Sequence, residues 1–132
     1  MDKYIGRYSD HAYAALRVVV GLLFLCHGLQ KVFGAFGGAH GHGAEAAFTL
    51  AWFSGAIELL GLLIALGVFT GCVAVVCSGE MAVAYFMAHA PHGFWPIQNH
   101  GELAVVYCFV FLYLATRGNG RFSVGPLLRR KK

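Results

Sequence analysis

The sequence predicts an all-α integral membrane protein, a four-helix bundle formed by a single domain over residues 1–132. Of these residues, 58% are hydrophobic and only 12% are charged, whereas soluble domains average about 25% charged residues. Four apolar segments of 16 to 22 residues are close to the ~20 that a helix needs to cross a bilayer. Because hydrophobicity does not alternate with period two, helices are favoured over a closed barrel.

The predicted spans cover residues 12–33, 48–68, 72–89 and 101–116, and a basic tail covers residues 117–132. An even number of spans places both termini on the same side of the membrane. Lys3 and Arg7 precede the first span, and the tail ends in RRKK. The positive-inside rule therefore predicts that both termini are cytoplasmic. This topology accounts for the net charge of +4, so we expect no nucleic-acid partner.

Three charged residues, Arg17, Glu58 and Glu80, fall deep within the predicted spans. At ~1.5 Å per residue, each lies roughly 8 to 14 Å from the cytoplasmic end of its helix. An unpaired charge at such depth costs about 2.5 to 3.5 kcal/mol or more, so we expect the three to meet as a buried ionic layer. Two roles are open for this layer: it fixes the register of the helices, or one carboxyl group stays protonated and relays a proton.

A second group of polar residues lies toward the outer ends of the spans. Some are three or four positions apart and so share one face of the first helix, and the others surround the start of the fourth helix. The group consists of His27, Gln30, Lys31, Asn99, His100 and Glu102. Together they predict an outward-opening pocket. For Lys31 alone the alternative is that its ammonium extends to the headgroups while its stem stays in the membrane.

The chemistry of this outer pocket suits a lipophilic ligand with a polar head, such as a quinone. Lys31, Gln30, His27 and Asn99 would bind the carbonyl groups as hydrogen-bond donors. His100 and Glu102 are the candidate catalytic residues, because both can exchange protons with the ligand.

The sequence offers two candidate metal ligands and no motif for nucleotide binding. His40 and His42 form a His-x-His pair in a glycine-rich outer loop, and imidazole suits Cu, Zn or Ni. No complete ligand set with a recognised spacing surrounds this pair, so no metal centre is predicted beyond these two candidates. The four cysteines include no C-x-x-C motif, and the chain has no P-loop or dinucleotide-binding glycine signature in a suitable context.

Three stretches give the chain a family resemblance: LRVVVGLLFLCHGLQKVFG, IELLGLLIALGVFT and GEMAVAYFMAHAPHGFWPIQNHGELAVVYCFVFLYLATRG. Together they resemble the DoxX family of small bacterial membrane proteins, over residues 16–118. The resemblance implies a multi-pass protein of the bacterial inner membrane. Relatives include a subunit associated with thiosulfate:quinone oxidoreductase and proteins linked to oxidative stress. The family's characteristic polar positions correspond to Gly28, Lys31, Glu58, Glu80, Asn99 and Glu102. The segment GAHGHGAEA is less typical of the family.

Two classes of function follow. The first is a redox-linked subunit that binds a quinone and receives electrons from a partner oxidoreductase, because the chain shows no flavin or haem site of its own. The second is a non-enzymatic protein for binding, assembly or transport of a partner or small solute. Four short spans with polar faces also raise the expectation of a homo-oligomer.

Overall fold

The computed structural model describes residues 2–129, and these residues form helices joined by turns. Within this range no β-strand occurs, apart from an isolated bridge between Gly38 and Gly43. The all-α prediction is confirmed. The last three basic residues of the predicted tail, numbers 130–132, lie outside the described residues.

Four helical segments dominate this part of the chain, with short helices at its ends and in the loop of residues 93–101, which is the second of the two loops predicted to lie outside. In order, the α-helices are α1 (Asp2–Ile5), α2 (Ser9–Phe33), α3 (Leu50–Glu58), α4 (Gly61–Leu66), α5 (Thr70–Ala84), α6 (Pro96–Asn99), α7 (Glu102–Arg117) and α8 (Gly125–Arg129). Helix α5 continues as a π-helical turn, Tyr85–His89, and a 3₁₀ turn, Ala90–His92. The second predicted span is therefore two helices, interrupted at Leu59 and Leu60.

The long helices run antiparallel to their neighbours. Helix α2 packs against α3 and α4, α5 packs against α7, and α3 and α4 both contact α5. The core between them is built from apolar side chains, among them Phe24 and Phe111, whose rings lie 4.6 Å apart. Tyr13 donates a hydrogen bond to the carbonyl oxygen of Gly118, which joins the start of α2 to the end of α7.

Glycines set the close approach of α2 to α3 and α4. A Cβ atom on Gly21 would lie 2.6 Å from the carbonyl oxygen of Gly61, and one on Gly28 would lie 2.7 Å from the backbone nitrogen of Leu59. Neither position accepts a side chain without movement of the backbone. Small residues at helix contacts are typical of membrane helices, in which van der Waals packing drives association.

Two helical stretches, Gly6–Phe33 and Thr70–His92, are long and apolar enough to cross a membrane, and Leu50–Leu66 is a shorter apolar stretch. Large side chains on the outer surface of these helices are exposed, including Leu22, Val75 and Phe109. The number of spans, their orientation and the single-domain organisation remain predictions.

Candidate functional site

A groove with a cavity volume of about 510 Å³ lies between α3 and α5. Most of its wall is apolar, for example Phe53, Ile57 and Val83. Its polar lining comes from Lys31, Ser54 and Glu80. A mostly apolar cavity with a few convergent polar groups is the usual form of a small-molecule site.

The polar side chains of the groove belong to one hydrogen-bonded group, which we call the polar cluster: Lys31, Ser54, Glu58 and Glu80. Lys31 Nζ lies 2.7 Å from Glu58 Oε1, in a salt bridge, and donates to Ser54 Oγ at 2.9 Å. Ser54 Oγ in turn donates to Glu80 Oε1 at 2.5 Å. Glu58 is only 3% exposed and lies behind the groove. The cluster thus connects a buried ion pair to a carboxyl group in the groove wall.

Helix packing brings Lys31 to Glu58. A Cβ on Gly55 would lie 2.6 Å from Lys31 Cβ, so the Lys31 stem crosses α3 at a position without a side chain. Cα–Cβ bonds in a helix tilt toward its N-terminus, which directs the Lys31 side chain back along α2 and into the bundle. The salt bridge with Glu58 holds the ammonium against the bundle, and the depth of Lys31 relative to the headgroups remains a prediction.

The predicted ionic layer of Arg17, Glu58 and Glu80 does not form. Gly28 lies beside Glu58 and Leu59, and Arg17 precedes Gly28 by eleven residues, about 16 Å along the helix axis. The side chain of Arg17 also points toward the start of α2. The carboxylates Glu58 and Glu80 join Lys31 instead.

Arg17 stabilises the opposite end of the bundle. Its Nη1 atom donates to the carbonyl oxygens of Ile64 and Ala65, at 2.9 and 3.0 Å, and Nη2 donates to that of Phe122 at 2.5 Å. The first two carbonyls belong to the last turn of α4, where that of Ile64 also accepts from Gly67 N at 3.0 Å, and the third belongs to the segment after α7. Arg17 therefore caps α4 and attaches the C-terminal segment to it.

Asn99 organises the second outer loop. Its Nδ2 atom donates to the Gly93 carbonyl at 2.6 Å and to the Tyr85 hydroxyl at 3.2 Å, and its Oδ1 atom accepts from Gly101 N at 2.8 Å. Asn99 is 5% exposed. Because its amide group is engaged on both sides, Asn99 supports the loop conformation, and its predicted ligand-binding role remains a prediction.

The other outer residues are not joined to the polar cluster. His27 and Gln30 are half-buried on α2, whereas His100 and Glu102 are exposed at the start of α7. None of the hydrogen bonds within residues 2–129 connects these four side chains to Lys31. The proton exchange predicted for His100 and Glu102 therefore remains a prediction, with no structural link to the groove.

His40 and His42 are exposed in the loop that follows α2. Among the described residues, no group of three or more histidine, cysteine or acidic side chains gathers as a metal site would require. A second cavity of about 410 Å³, between α5 and α7, is lined only by apolar surface and lies beneath Phe94 and Trp95. Of these two cavities, the groove is the one that combines an apolar wall with charged groups.

Ser54 was absent from the sequence predictions although it links Lys31 to Glu80. Its signal was present: Ser54 precedes Glu58 by four positions, so both lie on one face of α3. A serine is common in membrane helices and attracts no attention alone. Only the position of α5 shows that Ser54 contacts Glu80.

The comparisons with known proteins agree with the sequence motifs. The profile of the DoxX family matches residues 12–90. A protein of Haemophilus influenzae, described as an uncharacterized protein, is 38% identical over 120 residues, which cover 88% of this chain and 90% of that protein. No solved structure matches the chain. On the family profile and this relative, the chain belongs to the DoxX family.

Proposed function

We propose that this DoxX protein binds a quinone-like lipid in the groove between α3 and α5, as a redox-linked subunit of a membrane oxidoreductase complex. The observation that carries the proposal is the polar cluster at an otherwise apolar groove. The apolar wall would hold the ring and tail of the ligand. The cluster would hold its carbonyl head.

The hydrogen-bonding capacity of the cluster supports a carbonyl ligand. An ammonium group has three N–H donors, and Lys31 uses two of them, toward Ser54 and Glu58. The third is available to an acceptor in the groove. A carbonyl oxygen is such an acceptor, and it brings no charge into the membrane.

Matched substitutions on one helix test the location of the site. Ala84 lines the groove, and Ala82 lines the wholly apolar cavity on the other side of α5. We expect Ala84→Phe to fill the groove and reduce binding of decylubiquinone at least tenfold, measured by calorimetry on protein in nanodiscs. Ala82→Phe should leave the affinity unchanged.

Each other outcome has a defined meaning. If only Ala82→Phe weakens binding, the quinone occupies the apolar cavity and the proposed site is wrong. If the wild-type protein does not bind decylubiquinone, the quinone proposal fails and the non-enzymatic class, binding or transport of another solute, is favoured.

The redox link requires an electron donor. We propose that a partner oxidoreductase of the inner membrane supplies the electrons, as the family resemblance implies. Native mass spectrometry after gentle purification should then recover the protein with an oxidoreductase and a quinone. Recovery of a bare monomer or homo-oligomer would contradict the partner.

We also propose that all four helical segments cross the inner membrane with both termini in the cytoplasm. Single cysteines at Gln98 and Arg121, both exposed, test this in a cysteine-free background. A membrane-impermeant maleimide added to spheroplasts should label position 98 and leave position 121 unlabelled. The reverse pattern would refute the orientation, and labelling of both would show that α7 does not cross the membrane.

A further inference from the structure

The polar cluster contains one positive charge and two carboxyl groups. Lys31 contacts Glu58 directly and reaches Glu80 only through Ser54. The second oxygens of Glu58 and Glu80 are both buried and accept no hydrogen bond from any residue in the range 2–129. With both carboxyl groups ionised, the cluster therefore has one negative charge without a partner.

An unpaired charge within a membrane is unfavourable, and a buried carboxylate oxygen without a hydrogen bond adds to the cost. A single proton removes the unpaired charge and needs no additional space, whereas a larger cation would have to reach an oxygen that has no exposure. Because the Lys31 ammonium directly stabilises the ionised form of Glu58, the proton belongs on Glu80.

Among the described residues, no other lysine or arginine lies beside the two glutamates, and on α2 the half-buried imidazole of His27 is one turn from Lys31 and forms no hydrogen bond with either carboxyl group. Helix α3 contributes Glu58, α4 has no ionisable side chain, and the nearby groups on α7 and α5 are Tyr107 and Cys77. Both of these are neutral or negative when they titrate. Lys31 is the only positively charged side chain that the described residues place beside the two glutamates.

We propose that the polar cluster is a proton-binding site, in which Glu80 holds one exchangeable proton on its buried oxygen while Ser54 positions the carboxyl group through its other oxygen. This inference does not depend on the quinone proposal, because the charge count concerns the empty groove.

Infrared spectroscopy of the protein in nanodiscs at neutral pH, without added quinone, tests the charge count. The carbonyl stretch of a protonated carboxylic acid is separate from carboxylate bands, so its intensity counts protonated groups. We expect one equivalent in the wild type and none in Glu80→Gln. We also expect none in Glu58→Gln, because Glu80 then ionises as the partner of Lys31. Lys31→Met should show two equivalents, since no cation remains.

Asp10→Asn is the matched control, because Asp10 forms an exposed salt bridge with Arg117 at 3.1 Å. This variant should retain one equivalent. Size-exclusion chromatography and circular dichroism establish that each variant is folded, and the wild-type spectrum tests the proposal without any variant. No protonated band in the wild type, or a full band in folded Glu58→Gln, would overturn it.

Ser54→Ala separates a positioning role from a merely structural one. The Ser54 hydroxyl donates to Glu80 Oε1, and loss of that bond should raise the frequency of the carbonyl band while its intensity stays at one equivalent. An unchanged frequency in the folded variant would show that Ser54 does not position the carboxyl group.

Discussion

Gly28→Ala is expected to destabilise the protein by separating α2 from α3. The added Cβ would lie 2.7 Å from the Leu59 nitrogen and 2.8 Å from the Gly55 carbonyl oxygen. Ordinary van der Waals contact begins at 3.4 Å, so the two backbones must move apart by at least about 0.7 Å. Both contacts are with backbone atoms, which cannot rotate away as the end of a side chain can.

The magnitude follows from two opposing effects. Overpacking of a tight contact costs about 1–3 kcal/mol, and the higher helix propensity of alanine returns up to about 1 kcal/mol. We expect a net loss of about 1–2 kcal/mol in the free energy of unfolding. Leu59 follows Glu58 directly, so the same movement should lengthen the contact between Glu58 and Lys31 and weaken ligand binding in the groove.

Gly79→Ala is the matched control. Gly79 lies within α5, and a Cβ there would meet no heavy atom within 4 Å. The same substitution should therefore be neutral or should stabilise the protein by up to about 1 kcal/mol. Unfolding by sodium dodecyl sulphate in mixed micelles, followed by circular dichroism, compares the two variants. If Gly28→Ala is as stable as Gly79→Ala, the two helices are not held at glycine contact and the reasoning is refuted.

Two further predictions concern the ends of the bundle. Arg17→Met removes the donors to three carbonyl groups, including that of Phe122 in the C-terminal segment. Because the Val124 amide of this segment donates to Leu66 O, it should then exchange with deuterium at least tenfold faster. Unchanged exchange would refute the attachment of the C-terminal segment. Asn99→Ala removes three hydrogen bonds and should lower the free energy of unfolding by about 2–4 kcal/mol, whereas Gln98→Ala, at an exposed neighbour, should have little effect. Equal stability of these two loop variants would contradict the organising role of Asn99.

The helices could be predicted from the sequence because length and apolar composition determine them. The first predicted span, residues 12–33, corresponds to Ser9–Phe33, and the fourth, 101–116, corresponds to Glu102–Arg117. The interruption after Glu58, at Leu59 and Leu60, contains no proline, and both residues are apolar. Neither a helix-breaking residue nor the hydrophobic pattern therefore predicts it. Nor does the hydrophobic pattern predict the π-helical turn Tyr85–His89.

The partners of the charged residues could not be predicted, because they depend on helix register. Depth in the membrane placed Arg17 level with Glu58, although the structure has Gly28 at that level. Register is set by backbone contacts at Gly21, Gly28 and Gly55, and the sequence does not show which glycines face each other. The direction of the Cα–Cβ bonds adds a second displacement, which moves Arg17 toward the start of α2 and Lys31 into the bundle.

The irregularities of the backbone also point to the groove. Helix α2 is continuous for 25 residues, whereas the backbone hydrogen bonding of the two helices that line the groove, α3 and α5, changes beside it. Helix α3 ends at Glu58, and α5 becomes π-helical at Tyr85. Irregular backbone in a membrane is tolerated where protein covers it or where it lines a cavity, and interrupted helices often mark binding sites there. The interruption of α3 beside the ion pair thus agrees with the ligand site that we propose in the groove.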